Sequence, residues 1–427
     1  MVNLEEIYDA VDNLSDDRIM KLIKTLIGID TTVPPANTYQ DYVDAISPYF
    51  KDLGYSLEEV SLPEEIVKEI PYPIKGPRVN LVAAKDFGQD KDVSFYGHMD
   101  VVPAPDEGEK KWRFPPFEAT MIKSGKIYGR GTSDMKGAMA CLILTLQLIE
   151  ELNLTPKYNI RVLNCTDEEI GFHPGVAFLA EKGYVKGTVF CMEGVVNPII
   201  ELGAAGALNV IVESIGRSCH SGMNFLGINA IEETVPILVE LMNLKKIVEE
   251  RESVDIAGFP RFGTGEKRNM TPMFNLDIIK SGTKANIVPD LCTLTINRRL
   301  IPDEKYEDVK QEIEEAIERG KAKSKLLNVK TSFFYDYPAL KVDPNGPNIV
   351  RMKEVMKLVQ NVEKIIHIGM SGSTDMGNVC QILNTHDIIM HGPGNAGSNA
   401  HGVNEFIMLK DMKTFIKEII VFLCADL

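Results

Sequence analysis

The residues best suited to chemistry in this 427-residue chain are acids and histidines that follow short apolar segments. His98 and Asp100 come directly after the β-prone run Val93–Tyr96 and are two residues apart, so an extended backbone points both side chains the same way. An imidazole beside a carboxylate is a metal ligand with a partner that can orient it. The pair therefore indicates a metal site at the end of a strand.

A further acid, Asp134, is placed between a strand-like segment and a helix. It follows the run Lys126–Tyr128 and the glycine-containing stretch Gly129–Ser133, and an apolar helix-forming segment, Met135–Leu152, begins directly after it. Turns that link a strand to a helix commonly carry functional side chains. The sequence therefore predicts that Asp134 belongs to the same site.

Two more apolar segments end in acids. Asn159–Cys165 is followed by Glu168 and Glu169, and Thr188–Met192 is followed by Glu193. Adjacent carboxylates repel each other unless one is protonated or a cation lies between them, and a cation is the simpler explanation here. Because ligands of open α/β sheets bind at the carboxyl ends of the strands, we expect these acids to lie at one sheet edge.

The predicted site contains two histidines and four carboxylates, and no cysteine. Imidazole and carboxylate ligands without a thiolate suit zinc, manganese or cobalt. The set exceeds what one catalytic ion needs, whereas two ions bridged by one carboxylate, with another carboxylate as general base, would use it well. Its members are His98, Asp134, Glu168, Glu169, Glu193 and His401.

Composition and charge restrict the function classes. The 46 Lys and Arg residues against 61 Asp and Glu give a net charge of −15, which argues against nucleic acid or an anionic membrane as partner. The seven cysteines have no CxxC spacing, as expected of buried reduced thiols. We expect the first 29 residues to form a folded helix and not a signal peptide, and no later run reaches the roughly 18 apolar residues of a membrane span. We therefore expect a cytoplasmic protein.

The order of predicted elements indicates an α/β fold with an insertion. Strand-like and helical segments alternate early in the chain and again near its end, which predicts an open sheet flanked by helices. Between them, about four alternating strands and two amphipathic helices indicate a separate α+β domain. We predict a first domain over residues 1–205 and 339–427, and an inserted domain over 206–338. Residues 1–29 and 405–423 are each predicted as one helix.

Five motifs occur in a characteristic order: GHMDVVP from Gly97, the segment Trp112–Phe117, GRGTSDMKG from Gly129, TDEEIG from Thr166 and AHGVNE from Ala400. Together with Glu193 they resemble the successive signatures of the M20 family of dinuclear zinc peptidases and amidohydrolases. The chain is most similar to the branch of succinyl-diaminopimelate desuccinylases, acetylornithine deacetylases and related N-acyl amino acid deacylases. The resemblance implies a zinc-exopeptidase-like catalytic domain with an inserted lid and dimerisation domain.

The resemblance also assigns ligands to two divalent ions, zinc in the first place, with cobalt or manganese as alternatives. Asp134 would bridge the ions. His98 and Glu193 would bind one of them, and Glu169 and His401 the other. The peptide bond after the bridging acid is often cis in this family.

Further residues receive roles in catalysis from the same resemblance. Glu168 would be the general base that takes a proton from the metal-activated water, and Asp100 would orient His98. In the inserted domain, which would pair two chains into a homodimer, His220 would stabilise the substrate oxyanion, often in the partner subunit's site. Substrate would contact Asn286, Arg299, Ser373 and Thr374. No ligand position matches His173, His367 or His386.

Three functions remain open. The first is hydrolysis of an N-acyl amino acid of the desuccinylase or deacetylase type, and the second is a metallo-dipeptidase or aminopeptidase. The third is a binding protein that retains metal without catalysis, against which the intact Glu168 argues, because a structural metal site needs no free general base. The metal motifs do not separate the first two, since specificity lies in side chains around the shared amide.

Overall fold

The computed structural model describes residues 3–172, 174–259 and 268–427, so His173 lies outside the described residues. A 3-10 helix covers Ser221–Leu226, and the α-helices are α1 Leu4–Asp12, α2 Asp16–Ile27, α3 Tyr39–Asp52, α4 Glu64–Val67, α5 Lys136–Glu151, α6 Gly175–Glu181, α7 Ala230–Val248, α8 Tyr306–Lys321, α9 Pro347–Gln360, α10 Met376–Leu383 and α11 Leu409–Cys424. The strands are β1 Ser56–Ser61, β2 Val79–Lys85, β3 Asp92–His98, β4 Thr120–Met121, β5 Lys126–Tyr128, β6 Asn159–Cys165, β7 Thr188–Cys191, β8 Ile199–Ala204, β9 Gly206–Ile215, β10 Met273–Ser281, β11 Leu291–Leu300, β12 Asn328–Tyr337, β13 Leu340–Lys341, β14 Ile366–Met370, β15 Ile388–Met390 and β16 Phe406–Met408.

The chain divides into two compact units. The first unit consists of Met1–Leu202, Val342–His367 and Asn378–Leu427, and the second of Gly203–Lys341 and Ile368–Gly377. The second unit begins and ends a few residues outside the predicted insertion and also takes in residues 368–377. The mixed α/β fold predicted from the sequence is confirmed.

The first unit is organised around a six-stranded mixed sheet with the order β1–β2–β6–β3–β7–β15. Strands β6, β3, β7 and β15 run parallel, whereas β2 pairs antiparallel with β6, and the edge strand β1 pairs antiparallel with β2. His98 pairs with Cys165, and Tyr96 pairs with Cys191, so the carboxyl ends of β3, β6 and β7 lie side by side. The acids that follow these strands therefore start from one edge of the sheet.

Helix α5 anchors the turn that contains Asp134. It begins two residues after that acid, and only Gln147 and the last two residues of the helix are not buried. A helix that is apolar on every side is stable only in the interior of a protein. It packs against α2 and α11, so the turn before it rests on a fixed support.

The second unit has a four-stranded antiparallel sheet with the order β10–β11–β9–β12. Along β9 and β11, buried and partly exposed residues alternate, as expected when one face of a sheet packs on a core. Helices α7 and α8 cover that face, where Leu208, Ile237, Phe274 and Ile313 belong to one hydrophobic cluster. The unit therefore has a core of its own.

Two helix predictions were wrong in their extent. The predicted helix over residues 1–29 is broken between α1 and α2, because the Ser15 hydroxyl accepts a hydrogen bond from Arg18 N–H and starts a new helix. The predicted helix over 405–423 begins only at Leu409. Phe406–Met408 instead forms β16, which pairs with β5 and packs apolar side chains against it.

Among the residues that the structure describes, no helix is long and apolar enough to cross a bilayer. All seven cysteines are free thiols, and Cys219 alone among them is not buried.

Candidate metal centre

His98 is oriented by the chain that follows it. Its ring is buried, and Nδ1 lies 3.0 Å from the main-chain carbonyl of Asp100, whereas the Asp100 carboxylate is 3.7 Å away. A carbonyl only accepts, so Nδ1 carries the proton and Nε2 presents a lone pair to the site. The Asp100 carboxylate accepts a hydrogen bond from Glu169 N–H at 2.9 Å. Asp100 thus holds His98 mainly through its backbone and the Glu169 turn through its side chain.

Asp134 lies between two histidines. Its Oδ1 is 3.1 Å from His98 Nε2, and its Oδ2 is 3.1 Å from His401 Nε2. The peptide bond between Asp134 and Met135 is cis. Each carboxylate oxygen therefore faces a different imidazole, which is the arrangement that a bridging ligand requires.

The other acids complete the two sides of this arrangement. Glu193 Oε1 lies 3.7 Å from His98 Nε2, and Glu169 Oε2 lies 3.1 Å from His401 Nε2. Ligand atoms of His98, Asp134 and Glu169 lie within 4.8 Å of one another, and so do those of His98, Glu168 and Glu193. The structure brings together all six residues that the sequence placed in this site.

The carboxylates and imidazoles shift each other's pKa values. Hydrogen bonds with Asp134 and Glu169 raise the pKa of His401 to about 10. Burial alone would raise the pKa of Asp134, but hydrogen bonds from both histidines outweigh it and hold that pKa below its usual range. Burial, together with the charge of Asp134, raises the pKa of Glu169. A cluster that draws protons onto its histidines also attracts divalent cations.

The donor set fits divalent metal ions. Imidazole nitrogens and carboxylate oxygens converge there, and neither the sequence motifs nor the described contacts bring a thiolate to it. Zinc, manganese and cobalt accept such mixed nitrogen and oxygen ligands. The Asp134 side chain is partly exposed and that of His401 more so, so solvent reaches the centre.

Glu405 and Arg130 belong to this centre and were missed as individual residues in the sequence. The buried Glu405 carboxylate accepts hydrogen bonds from the N–H groups of Gly131, Ser133 and Asp134 at 3.1, 2.9 and 3.2 Å. Arg130 Nη1 donates to the same carboxylate at 2.6 Å. Both residues stand inside the quoted motifs, but 275 positions separate them, so local pattern could not pair them.

A second buried group, also not predicted, lies behind the turn that holds Glu168. Asp167 has a left-handed backbone, with φ of 63°, and its carboxylate contacts Tyr39 and Arg78. Its burial and the charge of Asp100 raise the pKa of Asp167 to about 7. No motif quoted from the sequence contains Tyr39 or Arg78.

The residues expected to contact substrate all lie in the second unit. Arg299 Nη1 donates to Ser373 Oγ at 2.6 Å, and Thr374 is buried, with its hydroxyl accepting from Met376 N–H at 3.3 Å. His220 and Asn286 are exposed in neighbouring segments, joined by a 3.0 Å hydrogen bond from Ser221 N–H to the Asn286 carbonyl.

The neighbouring Arg298 differs from Arg299 in its surroundings. Its side chain has no exposed surface and pairs with Glu304 at 2.5 Å. Of the two adjacent arginines, Arg299 is thus the one with an accessible guanidinium, since it is partly exposed.

Residues 94–423 match the profile described as Peptidase family M20/M25/M40. The chain belongs to this family. The M20 assignment made from the motifs is confirmed, and with it the enzyme class: the chain is a metal-dependent hydrolase of amide bonds.

Relatives of this M20 chain match it over almost its whole length. The N-formyl-4-amino-5-aminomethyl-2-methylpyrimidine deformylase of Bacillus subtilis is 25% identical over 99% of this chain and 98% of the relative. A probable succinyl-diaminopimelate desuccinylase of Staphylococcus epidermidis is 28% identical over 93% of this chain and 95% of the relative. A crystal structure of an M20 family metallo-carboxypeptidase from Sulfolobus solfataricus has a TM-score of 0.75 at 21% identity, covering 96% of this chain and 98% of that one. This last likeness shows the fold alone.

Proposed function

We propose that this M20 chain hydrolyses the amide bond of an N-acyl amino acid, with two divalent ions bridged by Asp134. One observation carries the proposal: the two oxygens of Asp134 face His98 and His401 separately, each at 3.1 Å. Glu193 and Glu169 lie beside these two imidazoles, one at each. His98 with Glu193, and His401 with Glu169, would thus each bind one ion.

Bound divalent ions would lower the pKa of a water molecule toward ~7 and polarise the amide carbonyl. Glu168, grouped with His98 and Glu193 in the centre, would accept the proton of the attacking water. The oxygen of that water joins the carbonyl carbon, and the carbon–nitrogen bond breaks. Glu168 would then give the proton to the leaving nitrogen. The products are a carboxylic acid and an amine, and the acid's proton passes to the amine at neutral pH, which leaves a carboxylate and an ammonium group.

His220 is suited to donate a hydrogen bond to the substrate carbonyl. Its Nδ1 accepts a 3.1 Å hydrogen bond from Gly222 N–H, so the neutral ring carries its proton on Nε2. A donor at the developing oxyanion stabilises the transition state more than the ground state. Arg299, whose planar guanidinium matches a carboxylate, would bind the α-carboxylate of the amino acid, with Asn286 and Ser373 contacting the remainder. Thr374 is buried and would support this loop from within, through its hydrogen bond with Met376 N–H.

The N-acyl class is favoured by the activities of two relatives. A deformylase and a probable desuccinylase both match this chain along nearly its full length. A peptidase activity is the second candidate, because a metallo-carboxypeptidase shares the fold. N-acyl amino acids and dipeptides differ in the group on the acyl side of the amide. The metal centre would contact the amide itself, so it does not distinguish these substrates.

The test is release of free amine from N-formyl, N-acetyl and N-succinyl amino acids and from simple dipeptides, by protein loaded with zinc, cobalt or manganese. We expect release from at least one acyl amino acid, and none by Glu168→Ala protein carrying the same metal content. Cleavage of dipeptides alone would transfer the assignment to a peptidase. Silence on the whole panel from protein with two bound ions would contradict the proposal and favour a binding protein.

We further propose that two chains pair through the second unit. Helix α7 buries one face on the sheet, while Ile231, Val235, Val239 and Met242 form an opposite stripe that is 43–49% exposed. Spacings of three and four residues place them on one side of the helix. The edge strand β10 adds Ile279, which is 55% exposed. A second copy presenting the same face would bury both stripes.

A further inference from the structure

The ion pair between Arg130 and Glu405 joins two loops that carry ligands of the candidate metal centre. Nη1 of the guanidinium lies 2.6 Å from the carboxylate, and the two side chains are 2% and 0% exposed. Arg130 lies four residues before Asp134, and Glu405 lies four residues after His401. The pair therefore connects the segment of one ligand to the segment of the other.

Glu405 fixes the turn of Asp134 from behind. Its Oε1 accepts from the N–H groups of Ser133 and Asp134, and its Oε2 from that of Gly131. The turn has little room to shift, because Gly131 has φ of 83° and a Cβ there would lie 2.8 Å from Val101. Three backbone N–H groups bound to one carboxylate therefore restrain the position of Asp134.

Arg130 fixes the loop of His401. Its Nη2 donates to the His401 carbonyl at 3.0 Å and to the Pro103 carbonyl at 3.1 Å. His401 has a left-handed backbone, with φ of 65°, so its ring direction depends on how this loop is held. The indole of Trp112 covers the guanidinium, with its ring centroid 5.3 Å from the central carbon of Arg130.

We propose that Glu405 and Arg130 are positioning residues that set the separation between Asp134 and His401, and thereby the affinity of the ion held by His401 and Glu169. This inference rests on the proposed two-metal function. Metal ligands must be placed to within about 0.2 Å, so a loosened turn or loop loses affinity. The His98 side depends less on the pair, because His98 ends a strand of the central sheet and is held by Asp100.

The test is stepwise addition of cobalt(II) to metal-free protein, followed by visible absorption and by equilibrium dialysis. Glu405→Gln keeps the shape of the side chain but turns an NH₂ group toward the donors of Arg130 or of the turn. Removing outer partners of metal ligands typically weakens binding 10- to 100-fold. We expect the second cobalt equivalent to bind roughly 10- to 100-fold more weakly, with an altered spectrum, while the first changes only a few fold.

The matched control is Glu304→Gln in the second unit. Glu304 is 8% exposed, accepts from Arg298 and Arg251 at 2.5 and 2.9 Å, and also accepts from Ile301 N–H. It is therefore a largely buried carboxylate with a similar set of arginine and backbone donors, outside the metal centre. We expect this variant to bind both cobalt equivalents as wild type does. If the Glu405→Gln protein does not fold, Arg130→Lys takes its place in the test. Lysine keeps the positive charge but lacks the planar guanidinium that donates to Glu405, His401 and Pro103 together.

Each outcome bears on one proposal. Wild type that binds fewer than two cobalt ions overturns the proposed two-metal function. Wild type and Glu405→Gln that both bind two ions with equal affinity and identical spectra overturn the positioning role alone. Equal weakening by Glu304→Gln and Glu405→Gln also overturns it, because the effect would then be general loss of stability.

Discussion

Arg78 Nε lies 3.2 Å from Asp167 Oδ2, and neither side chain has exposed surface. The Tyr39 hydroxyl donates to the other carboxylate oxygen at 3.0 Å, and its ring centroid lies 5.0 Å from the Arg78 guanidinium carbon. Asp167 immediately precedes Glu168 and Glu169 and has a left-handed backbone. This buried group therefore fixes the direction in which the next two acids leave strand β6.

Tyr39→Phe removes one hydrogen bond to a buried carboxylate. We expect a loss of about 1.5–3 kcal/mol in the free energy of unfolding, since hydrogen bonds to charged groups are stronger than neutral ones. We also expect a lower kcat, because Glu168 is less well directed. Denaturant unfolding and initial rates at full metal loading measure the two effects.

Tyr42→Phe is the matched control for this prediction. Tyr42 lies on the same helix, is equally buried, and its hydroxyl makes no hydrogen bond among the described residues. Removing that hydroxyl should leave stability unchanged or slightly higher, with kcat unaltered. Equal losses of stability and of kcat in the two variants would show that the hydrogen bond from the Tyr39 hydroxyl to Asp167 does not position Glu168.

Glu168 and Glu169 are adjacent acids with different expected roles, general base and metal ligand. Substitution of each by glutamine distinguishes these roles. Glu168→Gln should lower kcat by roughly 10²- to 10⁴-fold while the metal content stays at the wild-type level, as loss of a general base does. Glu169, whose carboxylate lies 3.1 Å from His401 Nε2, should instead lose metal affinity on the same substitution. Metal analysis and rates over a range of metal concentrations distinguish them. Recovery of Glu168→Gln activity by excess metal would contradict the assignment.

The sequence could predict the residues of the candidate metal centre because they follow local signals. His98 is the last residue of strand β3, Glu193 follows strand β7 by two residues, and Asp134 stands between a strand and an apolar helix, so no long-range contact was needed to find them. The parallel sheet that brings them together follows from alternating strands and helices. Local sequence pattern was therefore enough to predict the fold class and the residues that would bind the ions.

The buried contacts that hold these residues in place could not be predicted in the same way. Glu405 contacts Arg130 across 275 residues, and Tyr39 contacts Asp167 across 128. Such pairs depend on tertiary packing and leave no periodic signal in either segment. The same is true of Phe406–Met408, which is apolar enough to extend a helix but pairs with β5 instead.

Val239→Glu tests pairing through helix α7. Val239 is 44% exposed at the middle of the apolar stripe, and a charge there would be buried without a partner in a dimer. We expect wild type to sediment as a dimer and this variant as a monomer. Val350→Glu is the matched control, since Val350 is an equally exposed valine on helix α9 of the first unit. Wild type that sediments as a monomer, or loss of the dimer in both variants, would exclude this face as the interface.

Glu201 provides a prediction for the dependence of stability on pH. Its side chain is buried in the first unit, and one of its oxygens has no hydrogen-bond partner among the described residues. Burial raises the pKa of Glu201 to about 8, well above that of an exposed glutamate. The folded state therefore keeps a proton that the unfolded chain releases at lower pH.

The sign of the effect follows from this difference. Below the unfolded pKa, near 4.5, both states hold the proton, and between that value and about 8 only the folded state does, so stability falls as pH rises. Glu201→Gln cannot ionise and should lack this fall. Urea denaturation of the metal-free proteins gives the free energy of unfolding of each. We expect the difference between Glu201→Gln and wild type, in favour of the variant, to increase by up to ~1.4 kcal/mol per pH unit between pH ~5 and ~8. Parallel curves for the two proteins would mean that Glu201 is solvated in the folded state and ionises normally.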